Sequence, residues 1–180
     1  MFNKMNFLTS TSIKILCFLL FDPMEQFYGR EIARQAKVSV GAANQFLRRF
    51  HELGLVEMEK RGRTNLYRAN LRNSASRQFK VLFNVLALNE LVSEIMHVSE
   101  RIVLFGSCAE GTDTKDSDID LFILTSDPQA LRRKIGRYQR ELDRKISPII
   151  VSPTELAEMK MKDKPLYERI SRGITLWEQE

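Results

Sequence analysis

Two aspartates separated by a single residue, Asp118 and Asp120, introduce the apolar stretch 119–124. In a strand, alternate side chains point to the same face, so both carboxylates project together while Ile119 and Leu121 pack into the core. Neighbouring carboxylates raise each other's pKa unless a cation lies between them. Oxygen ligands of this kind suit Mg²⁺ or Mn²⁺. The pair therefore predicts a divalent-metal site.

A glycine and a serine, Gly106 and Ser107, follow the predicted strand 101–105. Glycine lets the backbone approach a ligand closely, and serine offers a hydroxyl and an amide N–H to a phosphate. A bare Asp-x-Asp is a weak signal, because exposed acidic pairs are usually only solvated. The ordered combination of strand, Gly-Ser, residues 108–116 and Ser-Asp-x-Asp is much more specific.

The segment 104–124, LFGSCAEGTDTKDSDIDLFIL, resembles the nucleotidyltransferase (DNA polymerase beta-like) superfamily, in particular its minimal members similar to antibiotic adenylyltransferases. The resemblance implies that Gly106 and Ser107 bind the nucleotide phosphates. It also implies that Asp118 and Asp120 are the catalytic carboxylates and hold Mg²⁺ or Mn²⁺. The expected cofactors are that ion and a nucleoside triphosphate, with ATP as the expected nucleotide.

One departure from the family concerns a third carboxylate, which the resemblance places on the following strand. That strand, 145–152, contains no acid, and Ile149 or Ser147 stands near the expected position. Asp143 and Glu155 flank the strand and are interpreted as helix-surface residues. The resemblance therefore predicts fold and nucleotide binding but leaves enzymatic turnover open.

The N-terminal half has a different pattern, with short helices followed by alternating apolar and polar residues on both sides of a turn at Gly62. This order resembles the winged helix-turn-helix regulators over residues 28–70. By that resemblance the third helix, predicted from Ser39 to about Leu53, enters the DNA major groove and the hairpin contacts the backbone. The predicted DNA-binding residues are Ser39, Ala42, Asn44, Gln45, Arg48, Lys60, Arg61 and Arg63.

Charge supports a polyanionic partner for this half. The whole chain has a net charge of +5, and residues 37–80 contain ten basic and three acidic residues. Double-stranded DNA is the partner that such a patch favours. The alternatives are a solvated basic face and a winged helix used only for protein contact.

The predicted fold class is α+β in two domains. Residues 1–72 are the predicted winged helix-turn-helix, 73–99 a helical connector with a helical stretch from about Ser74 to Val98, and 100–180 a nucleotidyltransferase fold with a small mixed sheet flanked by helices. The connector carries an apolar stripe, interpreted as core contact or as a homodimer seam. Two cysteines and a longest apolar run of only seven residues predict a cytoplasmic protein without a membrane partner.

Two functions follow from these expectations. In the first, the protein transfers a nucleoside monophosphate, with AMP expected, to a hydroxyl of a protein, RNA or small molecule, and a toxin is one such protein acceptor. In the second, it is a transcriptional regulator whose degenerate nucleotidyltransferase domain only binds nucleotide or mediates dimerisation. The intact Gly-Ser and Asp-x-Asp favour the first, and the missing third acid favours the second.

Overall fold

The computed structural model describes residues 7–139 and 144–179, which divide into two compact units. The first unit extends to Lys80 and the second begins at Val81. Asp143, one of the acids considered above, lies outside the described residues. The predicted α+β class is confirmed, because each unit combines helices with a small sheet.

The described residues of the first unit include three whole helices and a three-stranded antiparallel sheet with strand order β1-β3-β2. Its elements are α1 (Ser10–Phe21), β1 (Phe27–Tyr28), α2 (Gly29–Gln35), α3 (Val40–Glu52), β2 (Val56–Arg61) and β3 (Thr64–Ala69). Gly54 follows α3 and Gly62 forms the hairpin turn, both at positive φ, which only glycine adopts at little cost. The predicted hairpin is therefore confirmed. The two-residue strand β1, which pairs with β3, was not predicted.

The segment predicted as a helical stretch consists of several helical pieces. It forms α4 (Ser74–Ala87), α5 (Asn89–Ile95) and a 3₁₀ turn over Met96–Val98. The chain bends at Leu88 between the two α-helices, and Leu88, Leu91 and Ile95 are all buried in the core of the second unit. Among the described residues no single helix is long and apolar enough to cross a membrane, although α4 and residues 89–98 reach that length as a pair bent by 43°.

The second unit is built on a four-stranded mixed sheet with strand order β6-β5-β4-β7, in which only β5 and β6 are parallel. Its remaining elements are β4 (Arg101–Phe105), α6 (Ser107–Glu110), β5 (Ile119–Leu124), α7 (Pro128–Tyr138), β6 (Ile146–Val151), α8 (Pro153–Lys162), α9 (Lys164–Ser171) and β7 (Ile174–Glu178). The predicted small mixed sheet with flanking helices is confirmed.

Helices cover both faces of this sheet, because the strand side chains alternate between two apolar cores. One core joins Leu104 and Leu121 to residues of α5 and α7. The other joins Phe105 and Phe122 to Ile170 of α9. Phe105 is paired with Asp120, so the second aspartate of the motif lies at the edge of the core that α9 covers.

Candidate functional site

The turn after β4 brings Gly106 directly against Asp120. Gly106 has φ 67° and ψ −154°, a region essentially closed to other residues. A Cβ built on Gly106 would overlap Oδ2 of Asp120. Glycine is therefore required here twice, once for the backbone conformation and once for the carboxylate beside it. Ser107 follows as the first residue of α6, so the structure places Gly106, Ser107 and Asp120 together.

The two carboxylates are close enough to interact. Burial raises the pKa of Asp120 above its usual value and the charge of Asp118 raises it further, whereas the Arg169 guanidinium acts in the opposite direction. A bound cation would relieve both causes of the rise, since it favours the ionised form. The two carboxylates are the oxygen-only ligands that suit Mg²⁺ or Mn²⁺. In the described part of the chain no group of three or more His, Cys, Asp or Glu is placed to hold a metal, so the ion would depend on nucleotide oxygens as well.

The strand beside the carboxylates carries a neutral residue next to Asp120. Ser147 is the residue of β6 paired with Asp120, and Ile149 is paired with Phe122. Of the two residues considered from the sequence, Ser147 is therefore the neighbour of the motif. Glu155 is occupied elsewhere, since it accepts hydrogen bonds from the backbone and hydroxyl of Ser152 at the start of α8, and these bonds lower its pKa.

A buried network holds the loop between Ser107 and Asp118. The Arg144 guanidinium, 12% exposed, lies 2.9 Å from the carboxylate of Asp113, which is 0% exposed. Arg144 also donates two hydrogen bonds to the carbonyl of Ser117, at 2.9 and 3.1 Å, and one to Sγ of Cys108 at 3.2 Å. Asn84 donates to the Cys108 carbonyl and to Asp113. Arg144 therefore ties the residue after Gly-Ser to the residue before Asp118.

Comparison with known proteins agrees with this geometry. The family model described as a nucleotidyltransferase domain matches residues 87–172. These residues form a nucleotidyltransferase domain. A curated protein of Methanocaldococcus jannaschii, named "Putative protein adenylyltransferase", is 38% identical in an alignment 61 residues long that covers 31% of this chain and 62% of that protein. The chain thus spans less than two thirds of that relative's length.

Two solved structures are similar at low scores. A mutant of ZitR from Lactococcus lactis, solved in complex with DNA, is 18% identical with a TM-score of 0.38, covering 50% of this chain and 61% of that one. TrmBL2, an archaeal chromatin protein, is 16% identical with a TM-score of 0.30, covering 84% and 68%. Neither likeness bears on function at these TM-scores.

Sequence reasoning missed the Asp113–Arg144 network of the nucleotidyltransferase domain. Asp113 sits in a loop with several polar residues, and Arg144 is 31 positions away next to a strand, so their pairing has no local signature. The loop between the two motif halves contains three acids, Glu110, Asp113 and Asp116, and nothing local singles out Asp113 among them. Cys108, considered from the sequence as a small turn residue, is buried in α6 and donates to the Asp118 carbonyl at 3.6 Å.

The candidate DNA-binding residues lie on α3 and on the hairpin. The exposed members are Ser39, Gln45, Arg48, Lys60, Arg61 and Arg63, and the half-buried ones are Ala42 and Asn44. The Ser39 hydroxyl already accepts a hydrogen bond from the Ala42 amide as the cap of α3. Asn44 packs at the start of α2, where its Oδ1 would lie 2.8 Å from a Cβ on Gly29. Ser39 and Asn44 are thus engaged within the fold, whereas the side chains of Gln45 and Arg48 are exposed on α3.

Gly106→Ala should destabilise the nucleotidyltransferase domain by about 1–3 kcal/mol from backbone strain alone. Urea unfolding followed by the fluorescence of Trp177 measures this, because Trp177 is the single tryptophan and lies in β7. The matched control is Gly136→Ala in α7, where a Cβ meets nothing within 4 Å and helix propensity should raise stability by about 0.5–1 kcal/mol. Equal effects of the two substitutions would contradict the strain argument.

Arg144→Met should lower the free energy of unfolding of the same domain by about 3–5 kcal/mol, because it leaves the Asp113 charge buried and uncompensated. The double variant Arg144→Met/Asp113→Leu should recover part of this loss, since no charge then remains buried. Lys162→Met, which breaks the exposed pair with Glu158, is the control and should cost at most about 1 kcal/mol. An Arg144→Met protein as stable as this control would show that the network does not hold the loop.

Proposed function

We propose that this protein binds a nucleoside triphosphate with a divalent ion and transfers its nucleoside monophosphate to a hydroxyl acceptor. The observation that carries the proposal is the close approach of Gly106 to Asp120, which joins the Gly-Ser turn and the carboxylate pair in one site. The name of the Methanocaldococcus jannaschii relative, an adenylyltransferase, supports ATP as the nucleotide and AMP as the group transferred.

Each residue of the site has a distinct part in this proposal. Gly106 lets the backbone approach the triphosphate, Ser107 donates to its oxygens, and Asp118 and Asp120 hold Mg²⁺ or Mn²⁺. The ion, when bound, supplies charge neutralisation at the phosphates. In the transfer, the acceptor oxygen bonds to the α-phosphorus as the bond to the β-phosphate oxygen breaks, and pyrophosphate leaves. Because Ser147 stands beside Asp120, the acceptor's proton goes to solvent or to a base on the acceptor itself.

A protein is the acceptor that we favour. The relative is named as a protein adenylyltransferase. A toxin protein encoded beside this chain would be an acceptor of that kind. A protein acceptor can also bring its own base, which fits a site whose neighbouring strand carries a serine in place of an acid.

The second candidate is a transcriptional regulator whose nucleotidyltransferase domain binds nucleotide or mediates dimerisation without transfer. The observation that favours it is Ser147 beside Asp120, where the family resemblance places a third carboxylate. Leu82 and Leu86, exposed one turn apart on α4, are the apolar residues that a second copy would cover in such a homodimer.

Under both candidates we propose that the first unit binds double-stranded DNA in the cytoplasm. Its helix order and its β1-β3-β2 sheet are those of a winged helix, and the hairpin carries three exposed cations, Lys60, Arg61 and Arg63. Gln45 and Arg48 of α3 would read base edges, and the hairpin cations would contact phosphates.

Calorimetric titration of ATP with Mg²⁺ should show binding to the wild-type protein and none to the Asp118→Asn/Asp120→Asn variant. The reason is that the carboxylate pair is the proposed attachment of the ion that accompanies the triphosphate. GTP, CTP and UTP titrated in parallel identify the nucleotide. Binding that survives the double substitution would place the nucleotide elsewhere, and no binding at all would favour the regulator.

Arg61→Ala/Arg63→Ala should weaken DNA binding and reduce the slope of log K against log salt by roughly 2, because two phosphate contacts are lost. Fluorescence anisotropy at several salt concentrations measures the slope. Arg132→Ala/Arg137→Ala, which removes the same charge from α7, controls for net charge. A slope that does not change in the hairpin variant would remove the hairpin from the interface.

A further inference from the structure

Two cations lie near the carboxylate pair. Lys145 immediately precedes β6, and its Nζ lies 3.0 Å from Oδ2 of Asp118. Arg169 of α9 lies with its guanidinium carbon 5.8 Å from the ring centroid of Phe105, the strand partner of Asp120, and its charge lowers the pKa of Asp120. One lysine and one arginine from separate elements therefore act on the two carboxylates.

The balance of charge in the site follows from this arrangement. Asp118 and Asp120 contribute two negative charges, Lys145 and Arg169 contribute two positive ones, and Ser147 adds none. A third carboxylate beside Asp120 would have attracted a second divalent ion. With the Ser147 hydroxyl at that position and two protein cations nearby, the two carboxylates carry enough negative charge for one divalent ion but not for two.

The lysine is free to turn toward a ligand. Its side chain is 71% exposed and that of Asp118 is 39% exposed, and an ion pair this exposed contributes at most about 1 kcal/mol. The ammonium can therefore leave the carboxylate for a phosphate oxygen at little cost. Arg169 is also exposed, and its planar fork of donors suits phosphate geometry.

We propose that this site takes one divalent ion per nucleotide, and that Lys145 and Arg169 bind phosphate oxygens in the place of a second ion. The inference rests on the proposed nucleotide binding and goes further, since it assigns two phosphate-binding residues outside the Gly-Ser and Asp-x-Asp motif. Lys145 and Arg169 would then neutralise the phosphate charge that a second ion, held by a third carboxylate, would otherwise neutralise.

The number of bound ions tests the first part. Mn²⁺ titrated into the wild-type protein with saturating ATP, and followed by electron paramagnetic resonance, should reach one bound ion for each bound ATP. The ratio requires bound ATP to be measured on the same samples. Two ions for each ATP would overturn the inference.

Substitution of the two cations tests the second part. Lys145→Met and Arg169→Met should each bind ATP with Mn²⁺ about tenfold more weakly, because each loses a charged hydrogen bond to phosphate. Lys145→Arg should retain most of the affinity. Lys162→Met and Arg137→Met, exposed cations of the same domain, should bind as wild type. Trp177 fluorescence confirms that each variant is folded.

Mn²⁺ binding measured without nucleotide distinguishes phosphate binding by Lys145 from simple competition between Lys145 and the ion for Asp118. If Lys145 only competes with the ion for Asp118, Lys145→Met should bind both Mn²⁺ and the ATP complex more tightly, which would overturn the inference. We expect Mn²⁺ alone to bind at least as well as in wild type while the ATP complex binds more weakly.

Different results would overturn the phosphate-binding roles of Lys145 and Arg169 and the proposed nucleotide binding. If the wild-type protein binds ATP and the Asp118→Asn/Asp120→Asn variant does not, the nucleotide site stands. Affinities of Lys145→Met and Arg169→Met equal to wild type would then overturn the inference alone. If the wild-type protein binds no nucleotide, both fall together.

Discussion

The buried ion pair between Asp113 and Arg144 is the interaction on which the candidate site depends. The guanidinium bonds at once to the start and to the end of the loop that separates Ser107 from Asp118. Without this bridge the polar loop 108–117 would have few reasons to adopt one conformation, since it contributes few side chains to the core. The Gly-Ser turn and the carboxylate pair would then meet only through the pairing of β4 with β5.

Burial of a charge pair is costly, and this pair is compensated by several hydrogen bonds to backbone and side chains. Such a network specifies one loop conformation more than it adds stability. A single loop conformation matters here because Gly106 and the carboxylate of Asp120 lie so close together that even a Cβ on Gly106 would overlap it. A small shift of the loop would therefore disturb both halves of the site.

Charge is the distinctive feature of the nucleotidyltransferase domain around Asp120. Ser147, a neutral residue, is paired with Asp120 in the sheet, and Lys145 forms an ion pair with Asp118. Burial raises the pKa of Asp120 and the charge of Asp118 raises it further, whereas the charge of Arg169 lowers it. A cation bound beside Asp120 would favour its ionised form.

The sequence by itself determined the α+β class, the hairpin at Gly62 and the strands around the motif, and it predicted Gly106, Ser107, Asp118 and Asp120 as site residues. These are local patterns, since turn glycines, helix caps and strand alternation act over a few residues. Tertiary structure alone decided the bend at Leu88, which turns Leu91 and Ile95 into the core, and the choice of Ser147 as the neighbour of Asp120. It also decided the meeting of Asp113 with Arg144 and of Lys145 with Asp118, because these residues are far apart in the chain and come together only when β5 and β6 pair.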